Sequence, residues 1–181
     1  NSMGSEGGKL LADAIKAHPN YIQIAMSMFD GKAQVDMSNK KLDAGDAHII
    51  AAALEKNDQV RVLKVFGNAI GQAGGEAIAE TLKTNKTLEE IHMGNLMVGS
   101  TVRLKSSGEE KVVTFANDAG KFQVDGKRGT ADSALFDFIP AVLPTKQLRE
   151  NTIETLDLSN KGLGVDGGLM LAALMAGNHS A

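Results

Sequence analysis

The stretch Leu63-Lys64-Val65-Phe66-Gly67-Asn68-Ala69-Ile70-Gly71, continued by Gly74-Gly75, Ala77-Ile78-Ala79-Glu80-Thr81-Leu82 and Asn85, carries one structural unit. The Leu63-Lys64-Val65 triplet places two side chains on one face of a strand and one on the other. Asn68 follows, and its amide can bond turn backbone that cannot pair with itself. The glycines Gly71, Gly74 and Gly75 permit a tight turn into a helix. Ala77, Ile78 and Leu82 then recur at helical spacing.

The same pattern returns in phase. One copy is Leu156-Asp157-Leu158-Ser159-Asn160, Leu163-Gly164, Gly167-Gly168, Leu171-Ala172-Ala173-Leu174 and Asn178. Another begins mid-pattern at residue 1, with Asn1-Ser2-Met3-Gly4, Gly7-Gly8, Leu11-Ala12-Asp13-Ala14-Ile15 and Asn20. A looser copy runs Val35-Asp36-Met37-Ser38-Asn39, Leu42, residues 49–54 and Asn57. A truncated one is Ile91-His92-Met93-Gly94-Asn95. Asn39 and Asn68 are 29 residues apart, Asn68 and Asn95 27, and Asn57 and Asn85 28. Each unit leaves an apolar face that only its neighbours can cover.

This pattern resembles the leucine-rich-repeat family, in its long, ribonuclease-inhibitor-like class. The resemblance covers about two thirds of the chain. It implies an α/β fold: a right-handed β-α solenoid with parallel inner strands and helices outside.

Asn95 and Asn160 are 65 residues apart, so this repeat carries an insertion of roughly 35 residues. Apolar and polar residues alternate over 101–105, 111–115 and 121–125, with turn residues between. The expectation is a three-stranded antiparallel meander, weakly similar to SH3 or Tudor modules. The insert lacks Trp and Tyr, which argues against an aromatic cage. A helix is expected near 131–139, another over 144–150, and the next repeat strand from 153. Asp30-Gly31 between two apolar runs predicts a hairpin near 21–38. The organisation is therefore repeats over 1–97, an inserted β module over 98–128, and repeats resumed over 129–181. The ends read as those of an excerpt from a longer repeat protein, in preference to self-capping helices. Exposed repeat ends leave self-association open.

The chain has 181 residues, 43% apolar and 23% charged, with net charge -3 and no cysteine. That composition is globular. It excludes disulfides and thiol chemistry, and disfavours a nucleic-acid binder. No run approaches the length of a membrane span, and a cytoplasmic setting is expected, with the nucleus kept open. The insert holds six basic and four acidic residues, which keeps anionic-ligand binding as a minor reading.

No catalytic constellation emerges. The glycine-rich turns recur three times and none is followed by Gly-Lys-Ser/Thr, so phosphate binding yields to a structural role. His18, His48, His92 and His179 lack metal spacing. Asp43 and Asp46 read as first-turn helix charges. Glu89 and Glu90 point to opposite faces of a strand. Asn85-Lys86-Thr87 and Asn178-His179-Ser180 match a glycosylation sequon, which a repeat-position Asn85 argues against.

No cofactor is expected. By register Asp36, Lys64, His92 and Asp157 form a row across the inner face, flanked by Phe66, Glu90 and Ser159. With Arg103 and Lys121 on the insert, these are the candidate partner-binding residues. The reading is a non-enzymatic protein-interaction module, a scaffold or regulator. The family resemblance adds regulation of a small GTPase as the alternative.

Overall fold

The computed structural model describes residues 4–18, 20–21, 25, 27–116, 121–126 and 129–176. In chain order come α1 (Gly4–Ala17), β1 (Gln34–Asp36), α2 (Ala44–Glu55), β2 (Val62–Lys64), α3 (Gly71–Thr84) and β3 (Glu90–Met93). Then follow β4 (Thr101–Leu104), β5 (Glu110–Ala116), β6 (Phe122–Val124), a 3-10 turn (Ser133–Leu135), β7 (Phe136–Phe138), β8 (Ala141–Leu143), α4 (Thr145–Glu150) and α5 (Gly164–Ala176).

The first sheet has the order β1-β2-β3-β8. Its first three strands are parallel, with Val35 beside Leu63 and Leu63 beside Ile91. Those residues are buried, and Ile50, Leu54, Ile78 and Leu82 meet them from the helices. Each such side chain contributes about 1.5–3 kcal/mol by leaving water. Helices α1, α2, α3 and α5 stand in a row against one another.

Buried asparagines tie the units together. The Asn85 Nδ2 donates to the Leu54 carbonyl at 2.7 Å and the Asn57 carbonyl at 3.1 Å, while its Oδ1 accepts from the N–H groups of Thr87 and Leu88. Asn68 does the same one turn along, donating to Met37 and Val65 carbonyls and accepting from the Lys40 and Leu42 N–H groups. The sequon Asn85 is thus occupied by the fold; Asn178-His179-Ser180 lies outside the described residues. Asp43 caps α2, accepting from Gly45 and Asp46 N–H groups, and Asp46 accepts from the Asp43 N–H in return.

The strand register corrects the asparagine alignment. Val35, Leu63 and Ile91 align at a constant 28 residues. Asn39 therefore matches Gly67 and Asn95, not Asn68. Asn39 and Gly67 have positive φ, as does Asn160, and asparagine tolerates that region better than most side chains.

The solenoid with continuous parallel inner strands is not what the chain forms. The α/β class holds, but the fold is mixed, with one mixed and one antiparallel sheet. The place beside β3 is taken by β8, which runs antiparallel, with Ile91 opposite Leu143 and His92 opposite Val142. Only Ile139 and Pro140 separate β7 from β8, so the chain enters the first sheet straight from the second. A parallel neighbour would arrive through a crossover instead. Residues 156–158 form no strand, and Leu156 and Leu158 rest half-buried on the core.

The second sheet has the order β6-β5-β4-β7, antiparallel throughout. Val102, Val113, Phe122, Val124 and Phe136 form its own core. It has four strands where three were expected, because 131–139 forms no α-helix but a 3-10 turn followed by β7. Phe136 packs on Phe122, ring centroids 5.6 Å apart, and holds this segment extended. The expected hairpin near 21–38 is also corrected. Asn20, Tyr21, Ala25 and Ser27 are helical, and Asp30-Gly31 turns the chain into β1. Residues 22–24 and 26 lie outside the described set.

Candidate functional site: the inner sheet face and its cleft

Alternation along β1, β2 and β3 turns Val35, Leu63 and Ile91 into the core and their neighbours outward. The register sets Asp36 beside Lys64 and Lys64 beside His92. These three residues make a continuous polar row. The Nε2 of His92 lies 3.1 Å from Oε2 of Glu90, two residues away on the same strand face. Asp36 accepts from both the hydroxyl and the N–H of Ser38. The hydroxyl first, and the backbone bond second, hold its carboxyl below the usual range, so it stays ionised.

Asp157 does not join this row. Val142 of β8 stands next to His92 instead, 37% exposed. Asp157 keeps the local turn of its repeat, accepting from the Ser159 N–H at 2.9 Å and hydroxyl at 2.6 Å. That turn duplicates Asp36-Met37-Ser38 without its strand.

Phe66 extends from the end of β2 and packs on Phe138 of β7, with ring centroids 5.9 Å apart and planes at 40°. The two rings help to line a cleft of about 410 Å³ between the sheets. Leu96, Val102, Phe122 and Phe136 supply apolar wall, and Asn39, Lys105 and Asp137 supply polar groups. Gly67 adopts the left-handed backbone, at φ 69°, that favours glycine. The sequence reading missed Phe138, Val142, Lys105 and Asp137. Phe136-Asp137-Phe138, which alternates, and Ala141-Val142-Leu143, a short apolar run bounded by prolines, were the signals that mark strands there.

The remaining candidates lie apart from the inner face. Arg103 is exposed on β4 and pairs with Glu110 at 2.8 Å. Lys121 is exposed just before β6. Lys111 pairs with Glu109 at 2.7 Å, and Lys105 lies 3.6 Å from Asp137. These carboxylates offset the cationic charge that an anionic ligand would need; Lys127 and Arg128 lie outside the described residues.

The chain is similar to Ran GTPase-activating protein 1 of Xenopus laevis, at 26% identity over 162 residues. The match covers 83% of this chain and 26% of that protein, so the chain spans about a quarter of its relative's length. No family model matches the chain, and no solved structure matches it.

The alignment thus extends across most of the chain. Among the described residues no helix is long and apolar enough to cross a membrane.

Proposed function

We propose that the chain is a protein-interaction module of the leucine-rich-repeat, ribonuclease-inhibitor-like kind, whose partner is a small GTPase. In this reading it regulates the GTPase by binding rather than by chemistry of its own, in a cytoplasmic setting. The observation that carries the binding surface is the in-register row Asp36, Lys64 and His92, with Glu90 beside it and the Phe66–Phe138 cleft at its end. Charged side chains steer a partner and set its register, while a half-buried aromatic supplies an anchor. The similarity to a Ran GTPase-activating protein supports the partner class.

The test is binding of the purified chain to Ran and other small GTPases, each loaded with GTP or GDP, followed by single-turnover GTP hydrolysis. Binding is expected in one nucleotide state and is lost in Lys64→Glu. Failure to bind any member of the panel in either state overturns the partner assignment. Accelerated hydrolysis by the bound chain overturns the binding-only part and leaves the GTPase assignment standing.

A further inference from the structure

The strand register sets Asp36, Lys64, His92 and Val142 side by side on β1, β2, β3 and β8. These are four consecutive strands of one sheet, so the order and spacing of the row are fixed within the described residues. From one end to the other it presents an anion, a cation, an imidazole and an apolar side chain.

Two of the polar members are already engaged. The Asp36 carboxylate accepts from Ser38, and the His92 ring meets Glu90 at 3.1 Å. The Lys64 ammonium forms no ion pair or hydrogen bond among the described residues. Asp36 flanks it on one neighbouring strand, and Glu90 lies diagonally across on the other. Lys64 is half-buried before anything binds. A partner that covers it strips its remaining water and must supply an acceptor in return. A carboxylate over Lys64 meets that demand, and a second cation there is repelled.

The spacing selects the form of the partner. Neighbouring strands lie about 4.8 Å apart, so the row covers about 14 Å in three steps. Helix residues three or four apart are about 5–6 Å from one another, and three turns cover about 16 Å. Alternate residues of an extended strand are about 6.6 Å apart, and four of them span about 20 Å. A helix keeps step with the row from end to end, and a strand laid across it does not. Phe66 stands on the same side of β2, two residues beyond Lys64, and with Phe138 it gives such a helix an aromatic edge.

We infer that the partner lays a helix across these four strands, with a basic residue over Asp36, an acidic one over Lys64, a hydrogen-bonding one over His92 and an apolar one over Val142. Positions i, i+4, i+7 and i+11 put all four on one stripe of that helix. The inference rests on the inner-face reading proposed above, and adds the form and the charge order of what binds there.

Alanine-based helical peptides carrying Lys, Glu, Gln and Leu at those four positions are the probe. They are titrated into the isotope-labelled chain at low salt, where charge contributions are largest, and the amide signals are followed. The parent chain is expected to bind this peptide about tenfold more tightly than one with Lys in place of the Glu. Lys64→Glu is expected to reverse that preference. Lys64→Gln, expected to erase it, stands in if the amide spectrum shows Lys64→Glu unfolded. A proline in the middle of the peptide breaks its helix and is expected to abolish binding.

Equal binding of the Glu and Lys peptides overturns the inference. So does a preference that survives both Lys64 variants, undiminished binding of the proline peptide, or no binding of any peptide. The GTPase panel is read separately. A GTPase that binds where the peptides do not removes the helix geometry and leaves the partner class. Peptides that bind as expected where no GTPase does remove the partner class and leave the geometry.

Discussion

Phe66 and Phe138 are the ring contact that joins the two sheets, one from the end of β2 and one from β7, with centroids 5.9 Å apart. Each sheet has its own buried core, and this pair lies between them along the cleft wall. Aromatic pairs at such separations contribute about 0.5–1.5 kcal/mol beyond area burial. A double-mutant cycle with Phe66→Ala and Phe138→Ala, read by denaturant unfolding, is expected to give a coupling of that size. Additive effects would mean that the sheets do not communicate through these rings.

Asn85→Ala is expected to cost about 3 kcal/mol, because it strands buried backbone carbonyls of Leu54 and Asn57 and the N–H groups of Thr87 and Leu88. Asn85→Asp keeps the acceptor but cannot donate to the carbonyls, and is expected to lose a similar amount. Urea melts of the two variants check this. A near-neutral Asn85→Asp would show that the carbonyl bonds contribute little.

Glycine substitutions separate covered from uncovered helix faces. Gly8→Ala drives a methyl into Gly45 and is expected to cost about 1–3 kcal/mol, as overpacking does. Gly168→Ala meets open space and is expected to gain up to about 1 kcal/mol from helix propensity. Thermal melts at low protein concentration compare them. Equal destabilisation at both positions would contradict the packing of the helix row.

Much of this was legible in the sequence because it is local. Leu63 and Val65 point inward and Lys64 outward, as the triplet's alternation requires. The carboxylates Asp43 and Asp46, three residues apart ahead of an apolar run, mark the first turn of α2 by residue type and spacing alone. Competition between distant segments was not legible. Leu156-Asp157-Leu158 and Leu63-Lys64-Val65 have the same alternation, yet only one of them gains a strand partner. The edge of β3 goes instead to Ala141-Val142-Leu143, so Val142 replaces Asp157 in the inner row. Counting asparagines misaligned one copy for a related reason: Asn39 and Asn68 share a residue type but fill different positions, a positive-φ turn and a buried amide ladder.

Asp166 gives a pH signature. Burial against α3 raises its carboxyl above the ordinary value, although the N–H groups of Gly167 and Asp166 pull the other way. The folded state then holds the proton more tightly than the unfolded state. Its ionisation therefore weakens folding as pH rises through the carboxylate range, and the penalty vanishes below the unfolded value. Asp166→Asn is expected to be more stable than the parent at neutral pH, with the difference shrinking as the solution is acidified. Chemical melts across pH measure it. A variant less stable at neutral pH than at acid pH, relative to the parent, would reverse the sign.

The most direct measurement on the inner-face assignment is calorimetric titration of a nucleotide-loaded small GTPase with three proteins: the parent chain, Lys64→Glu, and Glu80→Lys. Lys64 stands in the middle of the row between Asp36 and His92, and Glu80 is exposed on α3, outside. Charge reversal at a contact costs far more than at a solvated helix face. The parent and Glu80→Lys are expected to bind alike, and Lys64→Glu is expected to lose binding at least tenfold, about 1.4 kcal/mol. Binding that survives Lys64→Glu and fails in Glu80→Lys would place the partner on the helices and contradict the inner-face assignment.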